Sequence, residues 1–199
     1  MKKLLLSTAV ILMTTTAAIA APVVGEPAPI FKGMDTNGVQ HSLSDFLGKT
    51  VVLEWTNHEC PYVKKHYDGG NMQKLQKEAT DDGVVWLSIA SSAQGKQGQV
   101  DNATANHVMK EVGAHPTARI QDPSGAIGNL YEAKTTPHMF VIDVKGVLAY
   151  AGAIDSDSSF KPDGIATATN YVRDALGNLA AGEAVEVSST QPYGCSVKY

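Results

Sequence analysis

The segment "TVVLEWTNHECPYVKKHY", residues 50–67, constrains the fold more than any other part of the chain. Val51, Val52, Leu53 and Trp55 form a β-branched, nearly continuous apolar run interrupted by one acid, Glu54. A run of that kind reads as a strand buried on both faces. It leads through Cys60-Pro61 into a helical pattern extending to about Thr80, with proline at an N-terminal position and Met72 and Leu75 on the buried face. Gly69-Gly70 should kink that helix or split it. "GVVWLSIAS", residues 83–91, is a second buried strand. The strand, helix, strand unit is expected to be right-handed, and it places the chain in the α/β class.

The remaining patterns extend the same alternation. After "GEPAPIF", Asn37-Gly38 marks a two-residue hairpin turn, and Ser42 or Ser44 caps a short helical turn before Gly48. A helix is predicted from about Asn102 to Val112, a strand at 117–121 and a short helix in "SGAIGNLYEA". "HMFVIDVKGVLAYAGAI" reads as two strands around Lys145-Gly146, residues 164–181 as a closing amphipathic helix, and "GEAVEVSSTQPYGCSVKY" as an irregular tail. With 199 residues, 43% of them hydrophobic, the chain suits one domain with a substantial core.

Lys2, Lys3, the apolar stretch Leu4–Met13 and the small-x-small triplet Ala18-Ile19-Ala20 read as a signal peptide. Thr14, Thr15 and Thr16 break the apolar run and argue against a membrane anchor, and no cysteine follows to take a lipid. The expected division is a signal peptide over 1–20, a domain over 21–182 and a tail over 183–199 that carries Cys195. Cleavage would take the formal charge from −4 to −6 by removing two lysines. With only Arg119 and Arg173 as arginines, the chain offers no basic footprint for nucleic acid. It has no 18-residue uncharged run beyond residue 21, so no membrane association is expected after cleavage. A periplasmic or secreted location puts both cysteines, Cys60 and Cys195, where disulfides persist.

Cys60 sits where a buried strand turns into a helix N-terminus. Unpaired backbone N–H groups and the helix dipole favour a thiolate there. Lys64, Lys65 and a protonated His58 add positive charge, while Glu59 opposes them. The alternative is a buried structural cysteine.

These residues also carry a family likeness. "VVLEWTNHECPYVK" resembles the strand and active-site turn of the thioredoxin-like superfamily, and "KTTPHMFVID" its cis-proline loop. "GEPAPIF...DTNGVQHSLSDFLGKTVVL" is similar to the N-terminal hairpin and first core strand of exported thioredoxin-like reductases and peroxiredoxins. Over residues 25–180 the chain resembles the peroxiredoxin-like (AhpC/TSA-type) redoxin branch. The resemblance implies a thioredoxin-like fold: a central mixed β-sheet flanked by helices, with an N-terminal β-hairpin extension. It implies Cys60 as attacking nucleophile and a cis Thr136-Pro137 bond facing the substrate. A backbone edge beside Cys60 would then be free to pair with a substrate peptide. Thr136, Pro137, His58 and Lys64 would line the substrate site, with no cofactor, a thiol/disulfide protein or peroxide as substrate, and an external electron donor.

The departures are specific. Val63 stands where thioredoxins place their second cysteine, and Leu53 and Asn57 stand where peroxiredoxins have the proline and threonine of P-x-x-x-T-x-x-C. Neither Arg119 nor Arg173 lies in a motif matching the peroxide-polarising arginine. Glu54, six residues before Cys60, matches a proton-moving buried carboxylate of thioredoxins and so reads as a general acid or base; the alternative is an edge carboxylate that reaches solvent or a lysine. His58, Cys60, His138 and Met139 have the donor types of a copper site, which makes a non-catalytic copper- or partner-binding module the rival function, although no metal is the leading expectation. "DSDSSFKPDG" has no EF-hand spacing and reads as a solvated turn.

The 14 residues from 181 to Cys195 extend about 45–50 Å at 3.3–3.6 Å each, against a radius of gyration of roughly 15 Å for a domain of this size. Cys195 can therefore reach Cys60 of its own or a neighbouring chain, as a resolving cysteine or as the other half of a structural disulfide.

Overall fold

A computed structural model describes residues 21–199, so the expected signal peptide lies outside the described residues. Two short antiparallel strands, β1 (Lys32–Met34) and β2 (Gln40–Ser42), open the fold. Their connection is a five-residue loop rather than the two-residue turn expected from Asn37-Gly38. The Asp35 carboxylate organises it by accepting from the N–H groups of Asn37 and Val39, both at 2.8 Å, and Gly38 supplies the positive φ of +83°. The 3₁₀ turn Leu43–Phe46 follows, capped at Ser42 with Asp45 returning to the Ser42 N–H.

The apolar run then forms β3 (Val51–Trp55), every residue of which is buried. The predicted long helix is two helices, α1 (Pro61–Asp68) and α2 (Asn71–Asp81). Gly70 separates them in a left-handed conformation, the break that Gly69-Gly70 foretold. Next come β4 (Val85–Ala90), α3 (Asn102–Glu111), β5 (Ala118–Gln121), α4 (Ala126–Leu130), the two-residue strand β6 (Thr135–Thr136), β7 (His138–Ile142) and β8 (Leu148–Gly152). The closing helix, α5, covers Tyr171–Ala180 and starts seven residues later than its apolar pattern suggested, because Asn170 caps it by accepting from the Arg173 N–H at 2.9 Å. The tail contributes β9 (Cys195–Ser196).

Five strands make the main sheet in the order β5-β4-β3-β7-β8, with β3 parallel to β4 and antiparallel to β7. This is the mixed, helix-flanked sheet of a thioredoxin-like fold. Alternation along β3 sends Leu53 and Trp55 to one face, with Leu87, Ile120, Tyr131 and Phe140, and Val52 to the other, with Met72, Trp86, Val141 and Val172. Burying each of these large side chains contributes about 1.5–3 kcal/mol, which fixes the register and so the position of Cys60 at the end of β3. No helix among the described residues is long and apolar enough to cross a membrane.

Candidate active site

Cys60 is the N-cap of α1, fully buried, with Pro61 in the first turn. Its own N–H bonds to Asn57 O at 2.9 Å, so the turn Asn57–Cys60 closes the strand before the helix begins. Facing it is the cis Thr136–Pro137 bond implied by the sequence resemblance. The Cys60 thiol donates to Thr136 O at 3.1 Å.

The backbone edge expected to be free beside Cys60 is taken. Thr135 and Thr136 pair antiparallel with Ser196 and Cys195, in the register Thr136↔Cys195, so the tail lies along the cis-proline loop as an added strand. Gly194 permits this approach, since a Cβ there would collide with the Thr136 carbonyl oxygen and its φ is +131°. On one side Tyr193 rests against Tyr62 and His66 and donates to Asp155 Oδ1. On the other, Lys198 O accepts from Ala93 N at 2.8 Å, and the Tyr199 ring lies over Gly125 and Gly128 while its hydroxyl donates to Ala133 O.

The pairing brings the two sulfurs together with opposite ionisation tendencies. Burial alone would push the Cys60 thiol up, but the Cys195 thiol and the N–H groups of Val63 and Cys195 favour the thiolate and leave its pKa below the ordinary value. Burial and the adjacent Cys60 sulfur push Cys195 up to about 11, against a smaller opposing pull from Lys198. After burial, the largest influences on Cys60 are thus its immediate hydrogen-bond partners rather than Lys64, Lys65 or His58. Lys65 is buried instead, 3.1 Å from Asp157 and 3.8 Å from Asp155. The "DSDSSFKPDG" loop is largely solvated, as expected, but its first residue, Asp155, is buried, and Asp155 and Asp157 neutralise the buried lysine. His58 and Lys64 line a cleft together with Arg119 and residues of α3.

Glu54 is fully buried. It accepts from Tyr67 Oη at 3.1 Å, Gln76 Nε2 at 2.9 Å, Trp86 Nε1 at 2.8 Å and Ser88 Oγ at 2.8 Å, and none of these bonds goes to Cys60. The copper constellation is not assembled. His138 packs against Phe140 with ring centroids 4.4 Å apart and planes tilted by 42°, whereas Met139 packs in the cluster on the opposite sheet face. Adjacent strand residues cannot converge on one ion, and no group of three potential His, Cys, Asp or Glu ligands occurs among the described residues.

The residues that sequence reasoning missed are the tail anchors: Tyr193 and Tyr199, with Asp155 and His66 beneath the first. Asn71 Nδ2 donates to His66 Nδ1 at 2.9 Å, and His66 Nε2 lies 3.0 Å from Tyr193 Oη. Burial first, then Lys65, push His66 down to about 3, with Asp157 opposing. Burial and Lys134 push His138 down to about 4. Both rings stay neutral in the fold while the unfolded chain takes up protons below about 6.5. Protons thus favour the unfolded state, and stability falls as pH drops from about 6.5 to 4.5, by on the order of 4 kcal/mol. Urea midpoints measured across that window should decline; a flat profile would contradict this burial.

The AhpC/TSA family profile matches residues 24–151. Comparison with curated proteins finds no match. Among solved structures, an uncharacterized conserved protein from Geobacillus kaustophilus superposes with a TM-score of 0.78 at 23% identity, over 89% of this chain and 92% of that one. A hypothetical protein from Sinorhizobium meliloti 1021 gives 0.75 at 21%, over 90% and 96%. The thioredoxin domain of a thiol-disulfide oxidoreductase from Bacteroides vulgatus gives 0.54 at 17%, over 74% and 98%. These likenesses establish the shared fold, and the profile match, which spans most of the chain, establishes more: the chain belongs to the AhpC/TSA family.

Proposed function

We propose that the chain is an exported thiol oxidoreductase in which Cys60 is the nucleophile and Cys195 of the same chain resolves it. The observation that carries this reading is the Thr136↔Cys195 pairing, which holds a high-pKa thiol against a low-pKa one. With a disulfide substrate, the Cys60 thiolate attacks one sulfur, forms a mixed disulfide and releases the other as a thiolate. Cys195 then loses its proton and attacks the Cys60 sulfur, releasing the second substrate thiolate and leaving Cys60–Cys195 oxidised. Two electrons pass to the substrate, and an external dithiol returns them.

The order of steps follows from the electrostatics. The Cys60 sulfur contributes to the raised pKa of Cys195 by accepting its hydrogen bond and by its charge. Forming the mixed disulfide removes that charge, so Cys195 becomes easier to ionise only after Cys60 has reacted.

Family membership favours a second substrate for the same pair. The Cys60 thiolate can attack a peroxide oxygen to give a sulfenic acid and an alcohol or water, and Cys195 then condenses with it, releasing water. Leu53 lies in the core and the Asn57 side chain bonds to Glu59 N and Gln97 O, so neither replaces the missing peroxiredoxin side chains at Cys60. This leaves disulfide exchange as the better supported reaction. Redox titration followed by mass spectrometry should find a Cys60–Cys195 bond with a potential above about −300 mV. A lower value would mark a structural staple, and no bond under any oxidant would remove Cys195 from the mechanism. Parallel disulfide-reduction and peroxide-consumption assays separate the two substrates.

A further inference from the structure

Arg119 is a buried, strongly charged side chain near the candidate site that the redox chemistry does not use. It projects from β5 and is only 4% exposed. Its Nε and Nη2 are sealed from solvent without a hydrogen-bond partner, and it forms no salt bridge among the described residues. A buried guanidinium without a counter-ion is costly. The carboxylate acting on it through space is Glu54, but four other donors already occupy the Glu54 oxygens.

Arg119 also lines a cleft of about 540 Å³ between α1 and α3, on which Cys60 does not border. Val63, Val108, Met109 and Val112 make an apolar wall there, and His58, whose Nδ1 is likewise sealed and unpartnered, lies alongside. Lys64 stands at the cleft with three acids, Glu59, Asp68 and Glu111. Glu59 is held by the Gly98 N–H, Glu111 lies 3.2 Å from His107, and all three acids are exposed, so solvent screens them far more than it screens Arg119. Together they disfavour multiply charged anions at the mouth while leaving a single buried positive centre within.

We propose that this cleft is a binding site for a small monocarboxylate with an apolar body, its carboxylate meeting the Arg119 guanidinium and its hydrocarbon lying on the Val63–Val108–Met109–Val112 wall. The guanidinium supplies a charge-assisted pairing, and the apolar wall supplies the area that an inorganic anion lacks. Neither Cys60 nor Cys195 lines the cleft, which adjoins them through Val63, and its occupancy is read by binding rather than by turnover.

The test is calorimetric titration of the full chain with hexanoate, hexan-1-ol and inorganic phosphate. Hexanoate should bind saturably and at least about tenfold more tightly than hexan-1-ol, with phosphate weaker still. Arg119→Met should reduce hexanoate to the alcohol's affinity. Met109→Trp, which fills the cleft from a half-buried position on α3 and leaves the core untouched, should abolish binding of both organic probes. Equal binding of acid and alcohol, an unchanged Arg119→Met, or no hexanoate binding by the wild type would overturn the proposal. Removing a buried charge that has no direct ion pair should also leave Arg119→Met at least as heat-stable as the wild type. A lower melting temperature together with unbound hexanoate would show Arg119 to be a structural partner of Glu54 instead.

Discussion

Cys60→Ser should lower disulfide-exchange turnover by on the order of 10³-fold or more, because a serine hydroxyl at this position is not ionised and cannot exchange with sulfur. Cys195→Ser should behave differently. The first attack survives, since the Val63 N–H still favours the Cys60 thiolate, but the mixed disulfide has no internal thiol to release it. Mass spectrometry of Cys195→Ser incubated with a small disulfide should therefore find a stoichiometric adduct on Cys60, while the wild type carries the internal bond and little adduct. Full turnover by Cys195→Ser without an added thiol would show that the tail cysteine is dispensable, and an adduct on Cys195 in Cys60→Ser at the wild-type rate would reverse the two roles.

That pair of thiols was only half legible in the sequence. The apolar run into Cys60-Pro61 is a local pattern with a local cause, so the central strand, the helix cap and the break at Gly69-Gly70 could be read residue by residue. The reach of the tail followed from chain length. Its docking did not, because β9 is two residues long and its register depends on Gly194 at Thr136, Tyr193 at Asp155 and Tyr199 over Gly125 and Gly128. None of these has a periodicity. Lys65 misled for a related reason: in a first helical turn it reads as a cation for the thiolate, and only the packed loop supplies Asp155 and Asp157 to draw it inward. Arg119 gave a weak signal, since a lone arginine in a short strand beside apolar neighbours is as consistent with an edge position as with a buried one.

Glu54 reads in the sequence as a proton carrier or as an edge carboxylate. Its full burial in the central strand rules out the edge, and a pair of substitutions distinguishes a proton carrier from a structural acceptor. Glu54→Leu should destabilise the fold by on the order of 3–5 kcal/mol. The cost comes from the donors left behind: Tyr67 on α1, Gln76 on α2, and Trp86 and Ser88 on β4 all converge on this one carboxyl group. Gln76 also accepts from His115 N at 2.8 Å, so the network ties the loop before β5 to both helices. Leucine fills the space but accepts nothing, so four donors lose this acceptor and only Gln76 Nε2 retains another, Tyr67 Oη at 3.0 Å. Chemical denaturation should show the loss as a lower midpoint at unchanged slope. Glu54→Gln keeps one acceptor oxygen and should cost less, about 1–3 kcal/mol, because its amide N–H₂ faces groups that are themselves donors. This milder variant reports on function. None of the Glu54 hydrogen bonds reaches Cys60, so the pH midpoint of Cys60 alkylation in Glu54→Gln should match the wild type. A shifted midpoint, or a turnover loss in Glu54→Gln that thermal stability does not explain, would return Glu54 to the role of proton carrier for a leaving thiolate.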